Sequence, residues 1–316
     1  MNTTIDPFTL ATTVEKRLGD PYDPTNPNGF QAILAAREAG RPPAGEPFRA
    51  VGGAEGCPAD PESLMHALRT GYRRSPVLTR SGGVAQRGSG AVTVGATAIG
   101  TLDSGLRMTL RHLRARRLYG AAAIDIPQLR AVLAGAYADL LLCDTLTTLA
   151  VRGTDAFPAR PDAHDSVVRV LVPRALQGAM DRLSMVLGSR FYLRESEHAA
   201  FHLLLNEMQH ALFAAEGRPD GRPGRASRPG RPPEPAGHAA PLSGMTGADL
   251  TTAPAVTALC DPELLAAAPG RALLTRARRA PQPSGRALER LATELDRRYD
   301  TGRSFDLADR PVPDRP

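Results

Sequence analysis

Apolar side chains recur every three or four positions from Thr101 to Gly217, almost without interruption. That spacing lays a single stripe along an α-helix. The pattern predicts four consecutive helices, over residues 102–119, 126–156, 165–188 and 196–216. In the second, Ile126, Leu129, Val132, Leu133, Ala136, Tyr137, Leu140 and Leu141 share one face. Asp125 stands ready to cap it, and Pro127 falls in the first turn, where its missing N–H costs nothing. The third carries Val167, Val168, Leu171, Leu176, Ala179, Met180, Leu183 and Leu187, with Pro173 inside it as an expected kink. Four amphipathic helices joined by short loops predict an all-α fold, an up-down four-helix bundle over residues 101–217.

Residues 1–80 read as a small helical region. Helices are expected at 8–18, 30–38 and 61–74, the last with Asp60 as cap and Pro61 in its first position, and the turn-forming run GDPYDPTNPNG lies between the first two. Residues 81–100 are small and nearly uncharged, which predicts a Gly/Ala-rich linker with one short strand at 91–94. No phosphate-loop pattern occurs there. Residues 218–240 alternate Arg, Pro and Gly, too little apolar material to bury, and predict a disordered linker. In 241–316, short helices are expected at 261–268 and 284–299, with a frayed tail from Arg303 to Pro316.

The formal charge of +6 and the isoelectric point near 9.7 invite a nucleic-acid partner. Two features turn that aside: Lys16 is the only lysine, with arginines interleaved among acids along most of the chain, and only 4% of residues are aromatic, so stacking platforms are few. The arginine excess reads as codon bias. Cys57, Cys143 and Cys260 lie far apart, which predicts neither a zinc site nor a disulfide framework. The N-terminus has no signal-peptide pattern and the apolar runs are short for a bilayer, so no membrane and a cytoplasmic location are expected. His198 and His202 stand at i and i+4 with Glu195 one turn before them. A metal needs a ligand from a second helix, however, and a solvated face is the expected role. Asp139 and Asp144 have Arg130 and Arg152 within helical reach as expected partners.

The runs LDSGLRMTLRHLRARRLYG (102–120), AAIDIPQLRAVLAGAYADLLLCDTL (122–146) and VLVPRALQGAMDRLSMVLGSRFYLRES (170–196) resemble the C-terminal helical domain of acyl-CoA dehydrogenases, in their divergent actinobacterial branch. Residues 18–40 and 51–78 resemble the opening of the same proteins. The resemblance implies an N-terminal helical domain, a middle β-domain and a C-terminal bundle. It also implies FAD held between domains and across a subunit interface, and removal of α and β hydrogens from an acyl thioester. Arg74 and Leu102 are separated by fewer than thirty residues, whereas a β-sandwich takes about 100, so the middle domain is expected to be missing.

Carried over residue by residue, the flavin-contacting arginine of the family falls on Arg116 in RRLYG, with Tyr119 in place of a phenylalanine. The glycine turn near the dinucleotide falls on Gly188, followed by Ser189 and Arg190 where the family has small residues. The family's catalytic glutamate would fall on Ala214, and Glu216, two residues on, is the candidate base. Two functions follow as expectations. One is an acyl-CoA dehydrogenase-like flavoprotein of bacterial secondary metabolism, acting on an acyl thioester as a homo- or hetero-oligomer whose partner supplies the missing β-domain. The other is a catalytically inactive remnant serving as a helical interaction module. A non-redox enzyme acting on acyl thioesters stands as a third.

Overall fold

The computed structural model describes residues 6–41, 60–81, 90–118, 120–156, 161–193, 196–216 and 285–313. Helices dominate. In chain order they are α1 (Thr9–Leu18), α2 (Phe30–Glu38), α3 (Pro61–Tyr72), α4 (Pro76–Ser81), α5 (Gly90–Ala115), α6 (Pro127–Ala156), α7 (Pro161–Leu187), α8 (Ser196–Glu216) and α9 (Gly285–Asp300). A two-residue antiparallel ribbon, β1 (Arg117–Leu118) with β2 (Ala121–Ala122), turns the chain from α5 towards α6. Short 3-10 turns sit at Ala123–Asp125 and Gly188–Tyr192. The expected segments at 218–240 and 261–268 lie outside the described residues.

α5 is the hub. It packs against α3, α6, α7 and α8, while α1 lies on α3 and α9 lies on α6. The larger apolar core runs through Leu102, Leu106, Leu110, Tyr137, Leu140, Met180 and Phe201, and a second joins Val14, Leu64 and Leu68 to Val92 and Ala96 of α5. The stretch 127–152 of α6 is long and apolar enough to cross a membrane, yet 72% of its most apolar window is buried inside the protein. Its apolar content serves the core. α3 begins as its sequence implies: the Asp60 carboxylate accepts the N–H groups of Glu62 and Ser63 at 3.1 and 3.0 Å, with Pro61 next to it.

The expected linker at 81–100 is corrected from Gly90 onward: these residues are the first three turns of α5, and the expected strand at 91–94 is helical. The small residues there are contact residues. A Cβ at Gly100 would press on the Arg69 carbonyl oxygen and stand 2.8 Å from Tyr72 Cβ, and one at Gly95 would run into the Thr147 side chain. Glycine lets α3 and α6 approach α5 closely, at a cost of about 1 kcal/mol in helix propensity. A stripe of Gly and Ala carries little hydrophobic signal, which is why periodicity alone misses it.

The tail is the second correction. Residues 301–313 are not frayed but laid into a groove beside α3, α5 and α6. Asp103 of α5 accepts the Phe305 N–H at 2.7 Å, and Asp144 of α6 accepts the Leu307 N–H at 2.6 Å. Phe305 is fully buried, edge-on to Tyr137, with the Arg107 guanidinium 4.1 Å from its ring centroid. Arg107 also donates to the Arg303 carbonyl, and Arg69 pairs with both Asp144 and Asp306. α9 is anchored beside the tail by Arg114 and Arg130, which share Asp296. The expected charge pairs of α6 are thereby corrected. Asp139 pairs with Arg182 and Asp144 with Arg69, while Arg130 reaches Asp296 and Arg152 reaches Glu62. Sequence distance along one helix is a poor guide when partners arrive from other helices.

Candidate functional site

The end of α5 faces the start of α8, close after the turn that ends α7. Arg116 follows the last residue of α5. Its N–H donates to the His112 carbonyl at 2.9 Å, and its own carbonyl accepts the Ala123 N–H at 2.8 Å, so the backbone is pinned from both sides. Its side chain is half-buried. One turn back, His112 is 8% exposed and faces His198 of α8, with Nδ1 of His112 3.4 Å from Nε2 of His198 and the rings edge-on at 5.3 Å. Nε2 of His112 and Nδ1 of His198 are buried with no hydrogen-bond partner among the described residues. Unsatisfied buried ring nitrogens are costly, of the order of 1–3 kcal/mol each.

The third part is the turn that begins at Gly188. Its φ of +61° ends α7 in the left-handed region, which glycine enters without strain. A Cβ added there would meet nothing within 4 Å, so Gly188 shapes the turn, and no close backbone approach of the kind inferred from the resemblance is built around it. The turn delivers Arg190, which is exposed. Its charge, together with that of Arg116, acts on the histidines. Burial first, then His198, Arg190 and Arg116, lower the His112 pKa to about 4. Burial and then Arg190 lower that of His198. Both rings are neutral at pH 7.

Arg116 and Arg190 of the Gly188 turn, remote from each other in sequence, thus both act on the charge of the His112 ring. Glu216 does not join them on any observation: it closes α8, and its side chain lies outside the described residues. Sequence reasoning placed His198 on a solvated face and gave His112 no role. His112 lies one turn before Arg116, but no sequence signal links it to His198. His198 and His202 do not converge on a metal. His202 is exposed beside Phe191 and Asn206, whereas His198 faces His112. Among the described residues, no group of three or more His, Cys, Asp or Glu could hold an ion.

The arrangement suits an oxyanion. Two guanidiniums offer paired donors, and the neutral pair adds one outer ring N–H, the other outer nitrogen being an acceptor. Among the described residues, four further buried acids are already engaged. Asp103 holds Arg107 and the Phe305 N–H, Asp139 holds Arg182, Glu15 holds Arg73, and Glu207 accepts the Ser75 hydroxyl. Cys143 is fully buried, and burial drives its thiol well above the usual range, so it offers no thiolate. Comparison with family models, with curated proteins and with solved structures gives no match.

Proposed function

We propose that the chain is an acyl-CoA dehydrogenase-like helical protein that holds the pyrophosphate of FAD at the Arg116 end of α5. In this reading α5 to α8 form an up-down four-helix bundle, with α3 and α9 laid against its outside. The observation that carries the reading is the ring-to-ring pair of buried His112 and half-buried His198, whose outer ring nitrogens have no partner among the described residues, with Arg116 and Arg190 acting on His112. Flavin, when bound, supplies hydride acceptance. The chain's own residues bind and orient its phosphates, and Glu216 is the residue assigned to the α-proton. The β-domain that would enclose the flavin ring and acyl chain comes from a partner subunit, because a solvated flavin cannot keep water from the reaction.

The test is an absorbance spectrum of the full chain incubated with FAD and passed through gel filtration. Retained flavin colour that falls at least tenfold in occupancy in Arg116→Gln supports the reading. A colourless protein overturns it. Bleaching of retained flavin by an acyl-CoA then reports dehydrogenation.

A second reading, a catalytically inactive remnant acting as a helical interaction module, is favoured by one observation. The buried carboxylates Asp103, Asp139, Glu15 and Glu207 are each held by an arginine, a backbone N–H or a hydroxyl, so none stands free to accept a substrate proton. Flavin bound without bleaching by any acyl-CoA, or no flavin at all with co-purification of a dehydrogenase subunit, supports that reading.

A further inference from the structure

The junction of α5, the Gly188 turn and α8 has a feature that a plain arginine cradle would not need. Two histidines stand ring to ring, one nitrogen of each directed at the other across 3.4 Å and the remaining nitrogen of each buried with no partner among the described residues. Arg190 from the turn acts on both rings, while Arg116 beyond the end of α5 and His198 itself act on His112. All are cationic or neutral. The side chains of Glu195 and Glu197, next to His198 in sequence, lie outside the described residues. Two neutral rings bonded to each other leave one outer N–H and one outer lone pair without a partner among the described residues, beside two guanidiniums. That combination accepts an anion and, once the anion is in place, tolerates one more proton.

We propose that this junction binds a phosphate- or sulfate-type oxyanion together with one proton, which the His112–His198 pair takes from solvent and shares between its rings. This rests on the reading of the Arg116 end as an anion site and adds to it a proton linkage. The anion lies against Arg116 and Arg190, its charge offsets theirs at the pair, and the ring N–H groups that then exist find an acceptor. The ligand and the proton enter as a unit, with no bond made or broken beyond N–H. Binding therefore tightens as pH falls, by up to tenfold per pH unit wherever the free pair is neutral and the bound pair protonated. The chemistry does not distinguish the phosphates of FAD from a free oxyanion, so both are probed.

The experiment is titration calorimetry of the full chain with FAD and, separately, with sodium sulfate, at about pH 5.5 and about pH 7.5. Neither ligand changes its own charge across that span, whereas histidine does. Each titration is run in two buffers of different ionisation heat, which gives the number of protons taken up. An uptake near one proton at the lower pH, with affinity at least tenfold above that at the higher pH, supports the proposal. His198→Asn tests the half-buried ring and His112→Asn the buried one. Both are expected to bind with less than half the proton uptake while Arg116 keeps the anion in place, and the first keeps the test decisive if the second fails to fold. Glu195→Gln with Glu197→Gln separates these acids from the pair, and its uptake is expected to be unchanged. Binding without proton uptake, or uptake lost in the double glutamine variant, overturns the linkage and leaves the anion site standing. Sulfate bound with a proton while FAD is not supports the linkage and overturns the flavin reading. Binding of neither ligand overturns both.

Discussion

Phe305→Ala is the sharpest perturbation of the docked tail. The ring is 0% exposed, stands 6.1 Å from Tyr137 and lies under the Arg107 guanidinium at 4.1 Å. Truncating a fully buried phenylalanine costs about 3–5 kcal/mol through lost transfer and the cavity left behind. Loss of a desolvated cation–π contact of about 2 kcal/mol lies within that range. Arg107 keeps its 2.6 Å bond to Asp103, so no buried charge is stranded and the cost stays near the middle of the range, about 4 kcal/mol. Urea unfolding followed by far-ultraviolet circular dichroism measures this as a fall in the midpoint. Hydrogen exchange adds the location. The amides of Phe305 and Leu307, which donate to Asp103 and Asp144, are expected to lose protection while α6 and α7 keep theirs. Leu307→Ala, at 54% exposure, serves as a control with an expected effect below about 0.5 kcal/mol. A loss under about 1 kcal/mol in Phe305→Ala with unchanged exchange would refute the claim that the tail is an integral part of the core.

Three further outcomes follow from the same packing. Asp144→Ala leaves Arg69 buried with the 3.6 Å contact to Asp306 as its one ion pair among the described residues and removes the acceptor for the Leu307 N–H, so chemical denaturation should show a loss of about 3–5 kcal/mol. Gly100→Ala forces a methyl group against the Arg69 carbonyl and should cost about 1–3 kcal/mol, whereas Gly135→Ala, with nothing within 4 Å, should gain about 0.5–1 kcal/mol of helix propensity in the same assay. Acid should weaken the fold in two stages. Burial lowers His66 to about 3 and His112 to about 4, so between the unfolded histidine value near 6.5 and those values the unfolded chain binds more protons. Their contribution is full above about pH 6.5 and is lost as pH falls. Burial raises Asp306 but Arg69, Ser304 and Arg310 outweigh it and hold it at about 2, so its contribution is lost below about pH 4. A pH series of thermal midpoints that stays flat from about pH 7 to about pH 4 would contradict the buried, neutral histidines.

How much of this was legible in the chain depends on what each element is made of. Helices built on Leu, Val and Met stripes were readable nearly to their ends: α6 and α8 end where periodicity puts them, and α9 was foreseen from Leu288, Leu291 and Leu295. The start of α5 was not readable, because its partners are held by the absence of side chains at Gly95 and Gly100, and absence produces no periodicity. The tail was misread for a different reason. Its residues TGRSFDLADR are mostly polar, and composition treats polarity as exposure. In the structure the polar groups are used for burial: Ser304 donates to Asp306, Arg298 donates to the Ser304 and Asp306 carbonyls, and Arg310 reaches Thr70. Buried polar groups of this kind are stable only as a satisfied network, and the network spans about 240 residues of sequence.

The candidate site falls between these two cases. Arg116 and Gly188 could be picked out one at a time, since an arginine at a helix end and a glycine at another each carry a local signal. What joins them could not, because His112 and His198 are 86 positions apart and neither belongs to a motif. The site is defined less by the residues that were singled out than by what lies between them. A dinucleotide pocket inferred from a glycine turn would require close backbone approach at Gly188, and the open space there removes that argument. What favours an anion here is the charge of Arg116 and Arg190 and the ring nitrogens without partners among the described residues. Those are properties of a convergence in space, so a variant that leaves Gly188 intact but neutralises Arg116 or Arg190 should weaken anion binding more than Gly188→Asn, whose side chain tolerates the left-handed turn and leaves both guanidiniums in place.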